Sequence, residues 1–160
     1  MRLAFIGFGE AAQAMALGFR DEASLTSLSA YDIRLRDPAQ APALRQKAAE
    51  LWVQLTGSVR EAVADAEIVL SLVQGSAAVA VAEATAPHLA TGQTLVDLNS
   101  ISPDAKERVA AAIAQGRGVC VEGAVMDAVS PRRHKVPILL AGVQAEKIAA
   151  RLNSVGMRCE

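Results

Sequence analysis

Two rhythms of hydrophobic and polar residues alternate along this chain. Short apolar runs read as strands, and between them lie longer stretches whose apolar positions recur at helical spacing. Leu3 to Ile6 opens the series, followed by Ala12, Met15, Ala16 and Phe19 on one helical face. A polar connection from Asp21 to Ser27 leads to a second strand, Leu28 to Asp32. Pro38 and Pro42 mark a loop, and Ala43 to Leu51 reads as a helix with Leu44, Ala48 and Leu51 on one side. Trp52 to Leu55 is a short third strand. Ser58 and Glu61 have capping-box spacing, so a brief helix starts there and stops before a fourth strand, Ile68 to Val73. Ser76 is positioned to cap the next helix, which runs toward Pro87.

The second half keeps the pattern. Thr94 to Leu98 is a fifth strand, and Ser102-Pro103 forms an N-cap and first-turn pair for a helix reaching about Gln115. Val119 to Glu122 is a sixth strand, Ser130 to Lys135 a polar loop, and Val136 to Ala141 a seventh strand. A helix from Ala145 to Asn153 ends near Gly156, a candidate C-cap, and Met157 to Glu160 begins another strand. Strand and helix units of this length require right-handed crossovers and a mainly parallel α/β sheet with helices on both faces. Hydrophobic residues at 52% and aromatics at 3% suit buried parallel strands under small-residue helices.

The 160 residues are expected to form one domain. A net charge of −1 gives no electrostatic reason to propose a nucleic acid or an acidic membrane as partner. Cys120 and Cys159 lack paired spacing, which points to reduced thiols in a cytoplasmic protein and to no metal site. The N-terminal apolar run is broken too early for a signal peptide, and no apolar stretch is long enough to span a bilayer.

The candidate chemistry concentrates after the first strand. Gly7-Phe8-Gly9-Glu10-Ala11-Ala12 follows it directly and opens a helix. Gly7 permits a tight turn, Gly9 lets backbone approach a pyrophosphate, and Ala12 is small enough for close helix-to-strand packing. The free amides of the helix face the anion. Glu10 suits the helix dipole, yet repels a pyrophosphate unless it turns to solvent. Asp32 closes the second strand about twenty residues further on, where a ribose-binding acid belongs. The expectation is a Rossmann-type, doubly wound sheet of order 3-2-1-4-5-6 binding a dinucleotide across the C-terminal ends of its strands.

Asp32 favours NAD, since a carboxylate accepts from ribose hydroxyls and repels a 2′-phosphate, while Arg34 and Arg36 keep NADP open. Val73 and Gln74 after the fourth strand are either packing and loop residues or a wall of the nicotinamide pocket. Asn99 and Ser100 after the fifth are either turn formers or polar contacts to nicotinamide or substrate. His134 and Lys135 are neighbours able to move protons, although a solvent-exposed loop is the simpler account of both. Cys120 reads as core.

Gly7 to Ala12, the stretch Asp97-Leu98-Asn99-Ser100-Ile101-Ser102-Pro103, and Lys135-Val136-Pro137-Ile138-Leu139-Leu140-Ala141-Gly142 together resemble the cofactor domain of the β-hydroxyacid dehydrogenases, a group that includes 6-phosphogluconate and 3-hydroxyisobutyrate dehydrogenases. The resemblance covers essentially the whole chain. It implies hydride transfer between a nicotinamide and the carbinol carbon of a hydroxy acid, with Val73, Asn99 and Ser100 near the nicotinamide ring. Where that family carries Asp-Ala-Pro-Val-Ser-Gly to grip the substrate carboxylate, this chain has Glu122-Gly123-Ala124-Val125-Met126-Asp127. Met126 donates no hydrogen bond and Asp127 repels an anion, so these two substrate-side positions depart from the family. The family's catalytic lysine lies on a helix after the cofactor domain, beyond residue 160, and its helical domain mediates dimerisation. The chain therefore reads as a cofactor domain, 1–160, whose full-length form is a homodimer. The competing reading is a non-catalytic nucleotide-binding module that reports cofactor level to a partner.

Overall fold

The alternation of apolar residues along the first strand is resolved by the two faces of one sheet. In the computed structural model, which describes residues 1–160, β1 (Arg2–Ile6) sends Leu3 and Phe5 to one face and Ala4 and Ile6 to the other, all buried. The first face is covered by α1 (Glu10–Phe19), α2 (Ala41–Glu50) and α7 (Ala145–Asn153), through Met15, Ala16, Leu44, Ala48, Ile148 and Leu152. The second is covered by α3 (Val59–Val63), α4 (Ala78–Thr85) and α5 (Pro103–Ala114), through Ala62, Val63, Ala78, Ala82, Val109 and Ile113. Burial on both faces explains why β4 (Ile68–Ser71) and β5 (Thr94–Asp97) are buried at every position.

With β2 (Ser27–Tyr31), β3 (Gln54–Leu55), β6 (Val119–Val125), β7 (Pro137–Ala141) and β8 (Arg158–Cys159), the sheet has eight strands in the order β3-β2-β1-β4-β5-β6-β7-β8. The strands from β3 to β6 run parallel in the expected order, and β7 pairs antiparallel with β6 before β8 continues parallel to β7. No helix is long and apolar enough to cross a membrane.

Four local readings are corrected. Trp52 does not enter β3: it turns the chain at φ 58°, the residue is 70% exposed, and the Arg20 guanidinium lies over its ring, 4.7 Å from the ring centroid. Pro42 is no loop residue but stands in the first turn of α2, where its missing N–H costs nothing. Ser76 caps no helix, because a 3₁₀ turn at Gly75–Ala77 precedes α4. The segment from Ser130 to Lys135 is not an open loop. The short α6 (Val129–Arg132) and a 3₁₀ turn fold His134 into the interior, its ring 4.9 Å from that of Phe19 and its Nε2 2.9 Å from Glu22 Oε1. Gly18 leaves the room for it, since a Cβ there would stand 2.0 Å from His134 Nδ1.

Candidate functional site

A row of paired residues, Tyr31, Ile6, Ser71, Asp97 and Glu122, crosses the sheet where the parallel strands end. Just past Tyr31, Ile6, Ser71 and Asp97 come Asp32, Gly7, Leu72 and Leu98. The register thus brings the candidates from four separate stretches to one edge, at the point between β1 and β4 where the strand order reverses.

Gly7 makes that convergence possible. Its φ is +89°, and a Cβ there would lie 2.1 Å from the Leu72 carbonyl oxygen and 2.9 Å from Val73 Cγ1. Gly9 is different: a Cβ there meets nothing within 4 Å, so the space above the turn is open. No side chain caps α1, and its first backbone bond runs from Gln13 N–H to the Gly9 carbonyl at 2.9 Å. The amides of Glu10, Ala11 and Ala12 are thus the orphan donors of a helix N-terminus, an arrangement suited to an anion. The Glu10 side chain is exposed, and Ala12 is fully buried against the sheet. Phe8 contributes backbone only, its ring being fully buried in the core.

Asp32 is a buried acid with every acceptor position in use. Its Oδ2 takes the Phe8 N–H at 2.8 Å and Arg34 Nη2 at 2.8 Å. Its Oδ1 takes the Arg34 backbone N–H and Nε, both at 2.9 Å. A carboxylate offers about four lone-pair sites, so nothing is left over. The same guanidinium donates to the Phe8 carbonyl at 3.0 Å, tying the glycine turn to the tip of β2. Burial works against ionisation of Asp32, but the bonds from Arg34 and Phe8 outweigh it and hold the carboxyl below its ordinary 3.8. Arg34, in turn, is pushed above its usual value, first by the Asp32 bond.

At the β4–β5 end the key residue is Asn99, which is buried. Its Oδ1 accepts the Val73 N–H at 2.7 Å, and its Nδ2 donates to Ser71 Oγ at 3.0 Å and to Asp97 Oδ1. Asn99 therefore holds the loop after β4 with its amide spent inside the protein. Gln74 and Ser100 are both exposed, and Gly75, next to Gln74, packs against the Ser100 backbone: a Cβ on Gly75 would stand 3.2 Å from the Ser100 carbonyl oxygen.

Met126 and Asp127 lie further out. The strand expected to stop at Glu122 continues to Val125, because antiparallel pairing with β7 supplies ladder partners for Gly123, Ala124 and Val125. Met126 is 55% exposed. The Ala128 N–H and Arg132 Nε, 2.7 and 2.6 Å from its carboxylate oxygens, keep Asp127 below its ordinary pKa, and the arginine offsets its charge.

Lys106 was not singled out in the sequence. It reaches from α5 to the end of β5, its Nζ donating to the carbonyls of Asp97 and Gly123 at 2.9 and 3.2 Å and standing 2.9 Å from Asp97 Oδ2. The available signal was its spacing, since Lys106, Val109 and Ile113 share one helical stripe and the other two are buried.

Comparison with known proteins agrees with this geometry. Residues 2–100 match the family described as NADP oxidoreductase coenzyme F420-dependent. No curated protein matches. Among solved structures, a conserved hypothetical protein from Sinorhizobium meliloti 1021 is 50% identical with a TM-score of 0.96, the match covering 100% of this chain and 53% of that one. The conserved protein MTH1747, reported to be structurally similar to 3-hydroxyacid dehydrogenases, is 27% identical with a TM-score of 0.83, over 100% of this chain and 57% of that one. The 3-hydroxyisobutyrate dehydrogenase of Mycobacterium tuberculosis shares the fold at 17% identity and a TM-score of 0.83, over 99% of this chain and 53% of that one. This chain spans about half the length of these structures. An uncapped helix facing open space, a saturated acid at the tip of β2 and a family match over the strands that carry both lead to one assignment: the chain belongs to the NADP oxidoreductase, coenzyme F420-dependent, family and has a β-hydroxyacid-dehydrogenase-like dinucleotide-binding fold.

Proposed function

We propose that residues 1–160 are the NADP-binding domain of an oxidoreductase that moves a hydride between nicotinamide and a small hydroxy acid. The observation that carries the coenzyme reading is the saturation of Asp32. With its acceptors filled by Arg34 and the Phe8 amide, it does not serve a ribose diol, and a guanidinium 39% exposed stands in front of it. A fixed, partly exposed guanidinium pairs well with a 2′-phosphate. Preference for NADP thus replaces the NAD preference that Asp32 alone suggests.

The fit of the remaining residues supports the same reading. The amides of Glu10 to Ala12 face the room left by Gly9, which suits a diphosphate. Val73, held by Asn99, walls the gap between β1 and β4, and Gln74 and Ser100 stand exposed at its rim. When bound, the nicotinamide donates or accepts the hydride. The chain's own residues orient the coenzyme, and on the family resemblance proton transfer falls to a lysine on a later helix, outside residues 1–160. The full-length form is proposed to be a homodimer. The unpaired thiols of Cys120 and Cys159, pushed up by burial to about 11 and about 12, suit a reducing, cytoplasmic compartment.

The test is titration of the chain with NADPH and NADH, followed by coenzyme fluorescence and calorimetry. NADPH is expected to bind at least about tenfold more tightly, a gap a single charge-assisted pair supplies. Equal or tighter binding of NADH overturns the coenzyme assignment, and failure of both to bind overturns the domain assignment.

A further inference from the structure

The proposed reading accounts for the glycine turn and the tip of β2. It leaves unexplained why a lysine and an aspartate are sunk together at the end of β5. Asp97 is 1% exposed, and no hydrogen-bond donor is aligned on its Oδ2, so compensation for that oxygen comes from the charge of Lys106 Nζ, 2.9 Å away. Burying such a pair is costly, and a hydrophobic pair of similar volume is often as stable. Core stability alone is a poor explanation for its presence.

What the pair does is orient an amide. Asp97 Oδ1 accepts from both the backbone N–H and the Nδ2 of Asn99. That forces the Asn99 nitrogen toward Asp97 and Ser71, leaving Oδ1 on the other side to accept the Val73 N–H at 2.7 Å. A flipped amide would set an N–H against an N–H at Val73 and oxygen against oxygen at Asp97. Val73 Cγ1 in turn crowds the missing Cβ of Gly7 at 2.9 Å. Lys106 also bonds the carbonyls of Asp97 and Gly123, locking β5 to β6 behind this network.

We infer that Lys106 and Asp97 are positioning residues that, through Asn99, set the Val73 wall of the cleft and thereby the seat of the nicotinamide half of the coenzyme. The inference rests on the coenzyme-binding reading above. It separates the two halves of the ligand: the adenosine end meets Arg34, which bonds Asp32 and Phe8 and stands apart from the Lys106 network, while the glycine turn meets that network only through the Val73–Gly7 contact.

The experiment compares the affinities of NADPH and of 2′-phospho-ADP-ribose, which lacks the nicotinamide, for the unsubstituted chain and for Lys106→Met. The substitution is expected to weaken NADPH binding by about tenfold while 2′-phospho-ADP-ribose changes by less than about twofold, and Lys106→Arg should restore most of the difference. Because Lys106→Met strands a buried carboxylate, the double variant Asp97→Asn/Lys106→Met is measured alongside it and is expected to shift the same ratio. An unchanged ratio in the folded variants, or an equal loss for both ligands, overturns the positioning role. If the unsubstituted chain binds neither ligand, the coenzyme reading itself fails, and this inference with it.

Discussion

The β1–β2 end of the cleft and its β4–β5 end are held by different means. At the first, contacts run between neighbours: Arg34 grips Asp32 two residues away, and both reach back to Phe8 beside Gly7 and Gly9. At the second, Ser71, Val73, Asp97, Asn99 and Lys106 come from two strand ends, two loops and a helix to form one network. The first joins one turn to one strand tip; it admits no side chain at Gly7, leaves open space at Gly9 and keeps the Arg34 guanidinium partly exposed. The second is buried and transmits position through an amide. Substitutions at the first should therefore alter folding or coenzyme choice, while those at the second alter where one half of the coenzyme sits.

The sharpest way to break this contrast is at Gly7. Gly7→Ala forces a Cβ onto the Leu72 carbonyl in a left-handed backbone, and the expected loss is on the order of 3 kcal/mol or more, read from the urea midpoint. An unchanged midpoint would show that the two ends of the cleft do not depend on one another through this contact.

Next in size is coenzyme choice. Arg34→Ala removes the guanidinium and releases acceptor sites on Asp32, so NADPH affinity should fall by roughly tenfold to a hundredfold while NADH binding improves. Parallel titrations of both coenzymes would reveal it, and a uniform loss for the two would assign Arg34 a purely structural part.

Gly9→Ala sharpens the contrast with Gly7. Its φ of −78° suits any residue and its Cβ meets nothing, so stability should change by less than about 1 kcal/mol. NADPH binding should nevertheless fall by at least about tenfold if the diphosphate occupies that space. Calorimetry showing full affinity would remove the diphosphate from the site.

The smallest effect is acid sensitivity. Since folding depresses the Asp32 pKa, its stabilising contribution is complete above the ordinary carboxyl value of 3.8, drains as pH falls toward the lower folded value, and is gone below it. Asp32→Asn should flatten that part of the stability profile, measured by denaturant unfolding across the acid range. An identical acid limb would mean that the Arg34 bonds persist without the charge.

Most of the architecture was legible in the residues because strands buried on both faces and helices buried on one leave unmistakable periods. The strand order from β3 to β6 followed from the glycine turn after β1. Less was legible where long-range packing overrides local character. The residues from Ser130 to Lys135 are polar enough to read as a loop, yet Gly18 opens a slot that buries His134 on Phe19. β6 outran its expected end because its extra residues are paired by β7, a partner no local pattern announces. The glycine turn and Asp32 are contiguous or motif-spaced, so their meeting at one edge of the sheet could be anticipated, whereas the filling of the Asp32 acceptors by Arg34 and Phe8 could not. Lys106 belongs to a network that exists only once α5 packs on β5 and β6, and its one trace is a charge on an otherwise apolar stripe.

Trp52 has a practical consequence of its own. It is the chain's single indole, and it lies ahead of β3, at the opposite end of the strands from the glycine turn. Its emission therefore monitors the meeting of Arg20 with the α2 terminus, and only the oxidised coenzyme, which lacks the dihydronicotinamide band that overlaps indole emission, should leave that optical signal nearly silent. The same protein then carries a built-in unfolding reporter for its free and oxidised-coenzyme forms.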